Sequence, residues 1–143
     1  MKRRHPNPGF TILELVVVVA LLAILLGLAF TRWQGYTAQQ RLRYGTARVA
    51  TDLRQAQERA KSERAAYTVT FTASSSAYVI ARSGGGFLEN TSLPDGVVAT
   101  ASQVVTFDAF GRPASASTIT VQNVAGSGTA SVNATGGISY QTP

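Results

Sequence analysis

Residues 10–30 read FTILELVVVVALLAILLGLAF, twenty-one residues in which Thr11 and Glu14 are the only polar members. At 1.5 Å per residue a helix of that length covers about 31 Å, close to the roughly 30 Å hydrocarbon core of a bilayer. The stretch therefore reads as a membrane-spanning helix. Before it stands MKRRHPNPG, in which Lys2, Arg3 and Arg4 form a cationic cluster and Pro6 and Pro8 oppose helix ahead of Gly9. Cations flanking a span stay cytoplasmic, and only Arg32 supplies positive charge just beyond the apolar block. Residues 31–143 are expected on the outer side of the membrane.

Two plainer accounts of this segment are an ordinary secretory signal, with a small-x-small site at Gly27-Leu28-Ala29, and a simple anchor. An ordinary signal has an apolar core of about 7 to 15 residues, shorter than this one. Neither account gives Glu14 a reason. A carboxylate in hydrocarbon costs roughly 2.5 to 3.5 kcal/mol near the centre and less near the surface, so an intramembrane Glu marks function. It needs a cation. A cut between Gly9 and Phe10 would create an α-amino group four residues before Glu14, at the same helix end. A neighbouring subunit could offer that amine as the counter-ion.

Through GFTILE at residues 9–14 the chain resembles the type IV pilin-like proteins, which include pilins and the pseudopilins of type II secretion. Their signature is a short basic leader ending in Gly, a cut before Phe or a similar residue, a Glu fifth in the mature chain, and an apolar helix. The resemblance implies that prepilin peptidase cleaves after Gly9 and N-methylates Phe10. It implies that Glu14 governs docking onto other pilin or pseudopilin subunits. It also implies a single-pass protein of the bacterial inner membrane that later enters a pilus or pseudopilus.

The sequence offers little to an enzyme. It has no Cys, and its single histidine, His5, lies in the leader, so the mature chain would lack the usual acid–base and thiol groups. Gly84-Gly85-Gly86 lacks the Lys-Ser/Thr of a phosphate loop, and Glu89, Asp95 and Asp108 lack calcium-loop spacing. No cofactor or metal is expected.

Beyond the apolar block, residues 31–64 contain no proline and are rich in Ala, Gln, Arg and Leu, so the helix is expected to continue. At 100° per residue Leu42, Thr46, Val49, Leu53, Ala56 and Ala60 share one arc, which must cover a sheet. Arg41, Arg48 and Arg59 border that arc on one side, and Arg43, Arg54 and Lys61 on the other. Residues 32–64 hold eight Lys+Arg and three acids, whereas residues 65–143 hold two Arg and three acids. Such a basic patch could neutralise nucleic-acid phosphates, with Tyr78, Phe87 and Phe110 stacking bases, as in a DNA-binding minor pilin of a competence pilus. The competing account pairs Arg48 with Asp52, Arg54 with Glu58 and Arg59 with Glu63 at i,i+4 and buries the aromatics in the sheet.

After Arg64 the period changes to two, with Tyr67, Val69 and Phe71 alternating with threonines. Further short β-branched runs fall at residues 77–81, 96–99, 104–107, 118–121, 129–133 and 137–140. Turns are expected at Gly84-Gly85-Gly86, Pro94-Asp95-Gly96, Gly111-Arg112-Pro113, Gly126-Ser127-Gly128 and Gly136-Gly137. The fold class is α+β: a long N-terminal helix packed against an antiparallel β-sheet. The organisation is a leader at 1–9, an apolar helix at 10–30, an amphipathic extension at 31–65 and a β-rich body at 66–143.

Within the pilin-like group the body is similar to the GspH/FimT type. The resemblance rests on Thr51-Asp52-Leu53-Arg54-Gln55-Ala56 before the first strand, on the VTFDAFG run at residues 105–111, and on the closing strands. Neither a proline in the apolar helix nor a C-terminal Cys pair is present, which argues for a minor pilin or pseudopilin rather than a major pilin.

Overall fold

The computed structural model describes residues 9–142, with the side chains of residues 29–33 outside the described set. The chain divides into two compact units, Met1–Gly35 and Tyr36–Pro143. Helix α1 (Ile12–Glu63) supplies the helix of the first and the opening element of the second.

In the first unit the large apolar side chains stand open, from Val18 at 46% to Ile12 at 84% exposure. A helix that is apolar on every side has no inner face of its own, so its cover must come from lipid or from other helices. Among the described residues no helix is long and apolar enough to cross a membrane. The described apolar side chains stop at Leu28, while the apolar block of the sequence runs to Phe30. The expected span over residues 10–30 thus lies partly outside the described residues. The leader residues 1–8 and the side chain of Arg32 lie outside them as well.

In the second unit the helix is two-faced. Leu42, Thr46, Val49, Leu53, Ala56 and Ala60 are all fully buried, and Ala50 joins them. The helix closes with the Ala65 N–H donating to the Ala60 carbonyl at 3.2 Å while Arg64 takes a φ of 49°. That left-handed residue turns the chain out of the helix and towards the first strand.

Eight strands follow: β1 (Tyr67–Phe71), β2 (Ala77–Arg82), β3 (Leu88–Ser92), β4 (Val98–Ala99), β5 (Gln103–Phe107), β6 (Ser117–Asn123), β7 (Gly126–Val132) and β8 (Ile138–Gln141). The sequence predicts one antiparallel sheet, whereas the structure builds two of four strands each, ordered β3-β2-β1-β5 and β4-β6-β7-β8. Neighbouring strands lie about 4.8 Å apart and twist by about 20 to 25°. Eight of them in one sheet would turn away from a single helix. Two short sheets keep both inner faces on it, and one core cluster joins Leu42, Val49 and Leu53 to Val69, Phe107, Ile119 and Val132.

Two other expectations are corrected. The β3 strand, with sequence LENTS, is missing from the sequence reading because it is an edge strand paired only with β2, and only Thr91 in it is buried. An edge needs no apolar alternation. Gly126-Ser127-Gly128 is not a turn but the start of β7, where Gly128 pairs with Val121. A Cβ on Gly128 would overlap the Thr46 side chain, so this glycine serves close approach of strand to helix. The turn itself is Val124 and Ala125, held by the Ala125 N–H donating to Asn123 Oδ1 at 2.8 Å.

Polar pins tie helix to sheet. The Tyr78 hydroxyl donates to Asp52 Oδ2, and Arg48 lies 3.9 Å from the same carboxylate. Burial, and then the Asp52 carboxylate, push the Tyr78 phenol well above its ordinary range. The Asn123 amide donates to the Ala38 carbonyl at 2.6 Å.

Leu53 tests the helix stripe. Leu53→Asp places an unpaired charge where the side chain is fully buried and is expected to cost more than about 3 kcal/mol. Chemical denaturation of residues 36–143 followed by circular dichroism measures it, and an unchanged midpoint would mean the wrong face has been assigned.

Candidate functional site

At the N-terminal end the sequence singles out Gly9, Phe10 and Glu14, and the structure sets all three within one turn of the start of α1. Gly9, Phe10 and Thr11 are non-helical, and the first helical residue is Ile12. The Glu14 N–H donates to the Thr11 hydroxyl at 3.2 Å, and the Leu15 N–H donates to the Thr11 carbonyl at 3.1 Å. Thr11 is therefore the N-cap, and its hydroxyl satisfies one of the four donors that a helix start leaves orphaned. Glu14 falls in the first turn, where the helix dipole favours a carboxylate. Among the described residues a Cβ on Gly9 would meet no atom within 4 Å.

The sequence reading misses Thr11, although the signal was present. Thr11 followed by Glu14 three residues later, just before an apolar run, is the spacing of a capping box.

The basic residues of the second unit distribute differently from the i,i+4 expectation. Arg48 does pair with Asp52. Arg54 instead donates to the Ile138 carbonyl at 2.9 Å, and Glu58 is taken by Lys61 at 2.8 Å. Arg59 lies 3.6 Å from Glu89 and stacks 4.1 Å over the Phe87 ring, and Glu63 pairs with Arg82 at 3.5 Å. Once the sheets fold back, β2, β3 and β8 offer partners that local spacing could not reveal.

The three aromatics considered for stacking share no common environment. Tyr78 is 1% exposed, Phe87 is half-buried under Arg59, and Phe110 is 75% exposed. Burial was expected for Phe110. The turn that carries it is pinned from both sides. Asp108 Oδ1 accepts from the Phe110 N–H at 2.9 Å and the Arg112 N–H at 2.8 Å. The Gln57 amide donates to the Gly111 carbonyl at 2.8 Å and to the Gly136 carbonyl at 3.0 Å, bolting two loops to the helix. Burial, then the nearby Glu63 carboxylate, push the ionisation of the Tyr67 hydroxyl up. Among the described residues no His, Cys, Asp and Glu group could hold a metal ion.

A family model described as prokaryotic N-terminal methylation motif matches residues 4–30. A second, described as type II transport protein GspH, matches residues 45–136. No curated protein and no solved structure matches the chain.

Gln57 and Phe110 separate the scaffold from the exposed surface. Gln57→Leu leaves two carbonyls without their donor and is expected to destabilise by about 1 to 3 kcal/mol. Phe110→Ser is expected to stay within about 0.5 kcal/mol. Thermal melts of the two variants measure both, and a large loss in Phe110→Ser would mean that its ring packs against the fold after all.

Proposed function

Because the chain belongs to the type II transport protein GspH family and carries a prokaryotic N-terminal methylation motif, we propose that it is a minor subunit of a type II secretion pseudopilus or type IV pilus. It is made as an inner-membrane precursor. Prepilin peptidase removes residues 1–9 and N-methylates Phe10, residues 10–30 anchor the protein and pack in the filament, and the body from residue 31 stands outside the cytoplasm. Its role is structural: it is assembled, with other pilin-like subunits as partners.

The observation that carries this reading is the contrast along one helix. Residues 12–28 are open and apolar all round, while the stripe at residues 42–60 is buried in the chain's own core. The exposed apolar side chains of the first part call for lipid and then for other helices. Glu14 is the single carboxylate in that apolar part. In a low-dielectric bundle an amine about 4 Å away would attract it by about 4 kcal/mol at an effective dielectric of 20, which suits the Phe10 amine of an adjacent subunit.

Mass spectrometry of the protein extracted from membranes in which a prepilin peptidase is present is expected to find a chain that begins at N-methyl-Phe10. A mature terminus near Phe30 would establish ordinary signal processing instead.

Glu14→Ala is expected to insert and to be cleaved as the wild type is, since it removes an intramembrane carboxylate. Its defect belongs to assembly, with incorporation into filaments down at least about tenfold, the factor that 1.4 kcal/mol carries. Wild-type incorporation, read by immunoblot of sheared filaments, would remove the counter-ion role.

A further inference from the structure

The β6–β7 turn breaks the usual chemistry of a hairpin tip. Asn123 and Gly126 face each other in the register, so the tip is Val124 and Ala125. Such tips are ordinarily Gly, Asn, Asp or Ser. Here both residues are apolar and both are exposed, Val124 at 97%. The tip is also fixed in place. The Asn123 side chain donates to the Ala38 carbonyl at 2.6 Å and accepts from the Ala125 N–H at 2.8 Å, so one amide ties the turn to the helix. Two residues before Ala38 stands Tyr36, 60% exposed. Residues 36–48 hold Arg41, Arg43 and Arg48 and no acid, whereas residues 49–63 hold three cations and three acids. Side chains on a helix lean towards its N-terminus, so those of Tyr36 and Arg41 lean towards the start of the body.

Five residues separate Phe30 from Tyr36. A chain extends at most about 3.6 Å per residue, which holds Tyr36 within about 22 Å of Phe30 however the two units are set. The Phe110 turn belongs to the other end of the body, since Gln57, which holds it, lies about 28 Å along the helix from Ala38.

We propose that the end of the body formed by Tyr36, Arg41 and the β6–β7 turn is a lipid-contacting surface: Val124 and Ala125 enter the boundary between headgroups and acyl chains, the Tyr36 ring lies among the headgroups, and Arg41 pairs with the phosphate of anionic lipid. An aliphatic tip, a phenol and a cation match the layers of a membrane interface, apolar beneath and anionic above. A second contact besides the tether limits how far an unassembled subunit can turn about its anchor. This inference rests on residues 10–30 anchoring the chain.

The chain contains no cysteine, so Leu22→Cys, Phe110→Cys and Val124→Cys in the full chain each carry a single nitroxide label. The labelled proteins are reconstituted at low density in vesicles of phosphatidylethanolamine and phosphatidylglycerol. Collision with oxygen, which concentrates in lipid, is then compared with collision with a water-soluble nickel chelate. The label at 22 is expected deep in the hydrocarbon, that at 124 about 5 to 10 Å into the headgroup and acyl boundary, and that at 110 in water. Arg41→Gln is expected to lower the ratio of lipid-contacting to free label at 124 about fivefold, the factor that one cation near an anionic surface carries. Vesicles of phosphatidylcholine alone are expected to lower it at least as far. A label at 124 as open to the chelate as that at 110 overturns the lipid contact while the anchor stands. So does a label at 124 that leaves water only as protein density rises, because another subunit then covers the turn. A ratio that neither Arg41→Gln nor neutral lipid changes overturns the phosphate pairing. A label at 22 in water would overturn the anchoring reading and this inference together.

Discussion

Everything in the body of this protein depends on the burial of one helical stripe. Leu42, Val49, Leu53, Ala56 and Ala60 have no exposed surface, and strands from two different sheets meet them. The stripe is narrow and built largely of small residues, which lets backbone come close. Gly128 lies where any Cβ would strike Thr46, and a Cβ added at Gly45 would come within 3.2 Å of the Pro94 ring. Thr46 itself is buried but satisfied, its hydroxyl donating to the Leu42 carbonyl at 2.8 Å. A larger side chain at any of these points would lift a sheet off the helix and open a void costing more than the residue's own transfer energy.

The polar residues around the stripe follow from the same geometry. Arginine and lysine bordering a buried arc can lay their stems on apolar surface and carry their charge outwards. In this fold Arg59 does so over Phe87 on its way to Glu89, and Arg54 reaches the Ile138 carbonyl. Such partly exposed ion pairs contribute little individually. Their effect is to fix which strand lies beside which part of the helix, because each cation reaches an acceptor on a different strand. The concentration of cations on the helix therefore has a use in the folded chain that requires no nucleic acid.

The fold was legible wherever burial imposed a period. The helix face, the alternation of Tyr67, Val69 and Phe71, and most strand centres could be read because each buries one side against the core. Legibility failed where position rather than composition decided. The β3 edge carries little apolar signal, Gly128 looks like punctuation until the helix is set against it, and the second sheet follows from the geometric limit of packing strands on one helix. Among the site residues, Gly9, Phe10 and Glu14 were visible as a motif, whereas Thr11 is recognised by a hydrogen bond and Gln57 by the two loops it holds.

The two ends of α1 solve the same physical problem in opposite ways. A helix buries apolar surface either against its own chain or against something else. In residues 36–63 the chain brings its own sheets, so the apolar residues shrink to a stripe and charge fills the remaining surface. The described side chains of residues 12–28 are exposed and almost all apolar, and polarity is confined to the first turn, where the Thr11 hydroxyl accepts from the Glu14 N–H. A single polar pair is tolerated there because a helix start carries unmet donors whatever its side chains are. Its place in the sequence follows from the demand for a cap at the helix start, and the counter-ion role we propose for Glu14 would require the same end of the helix.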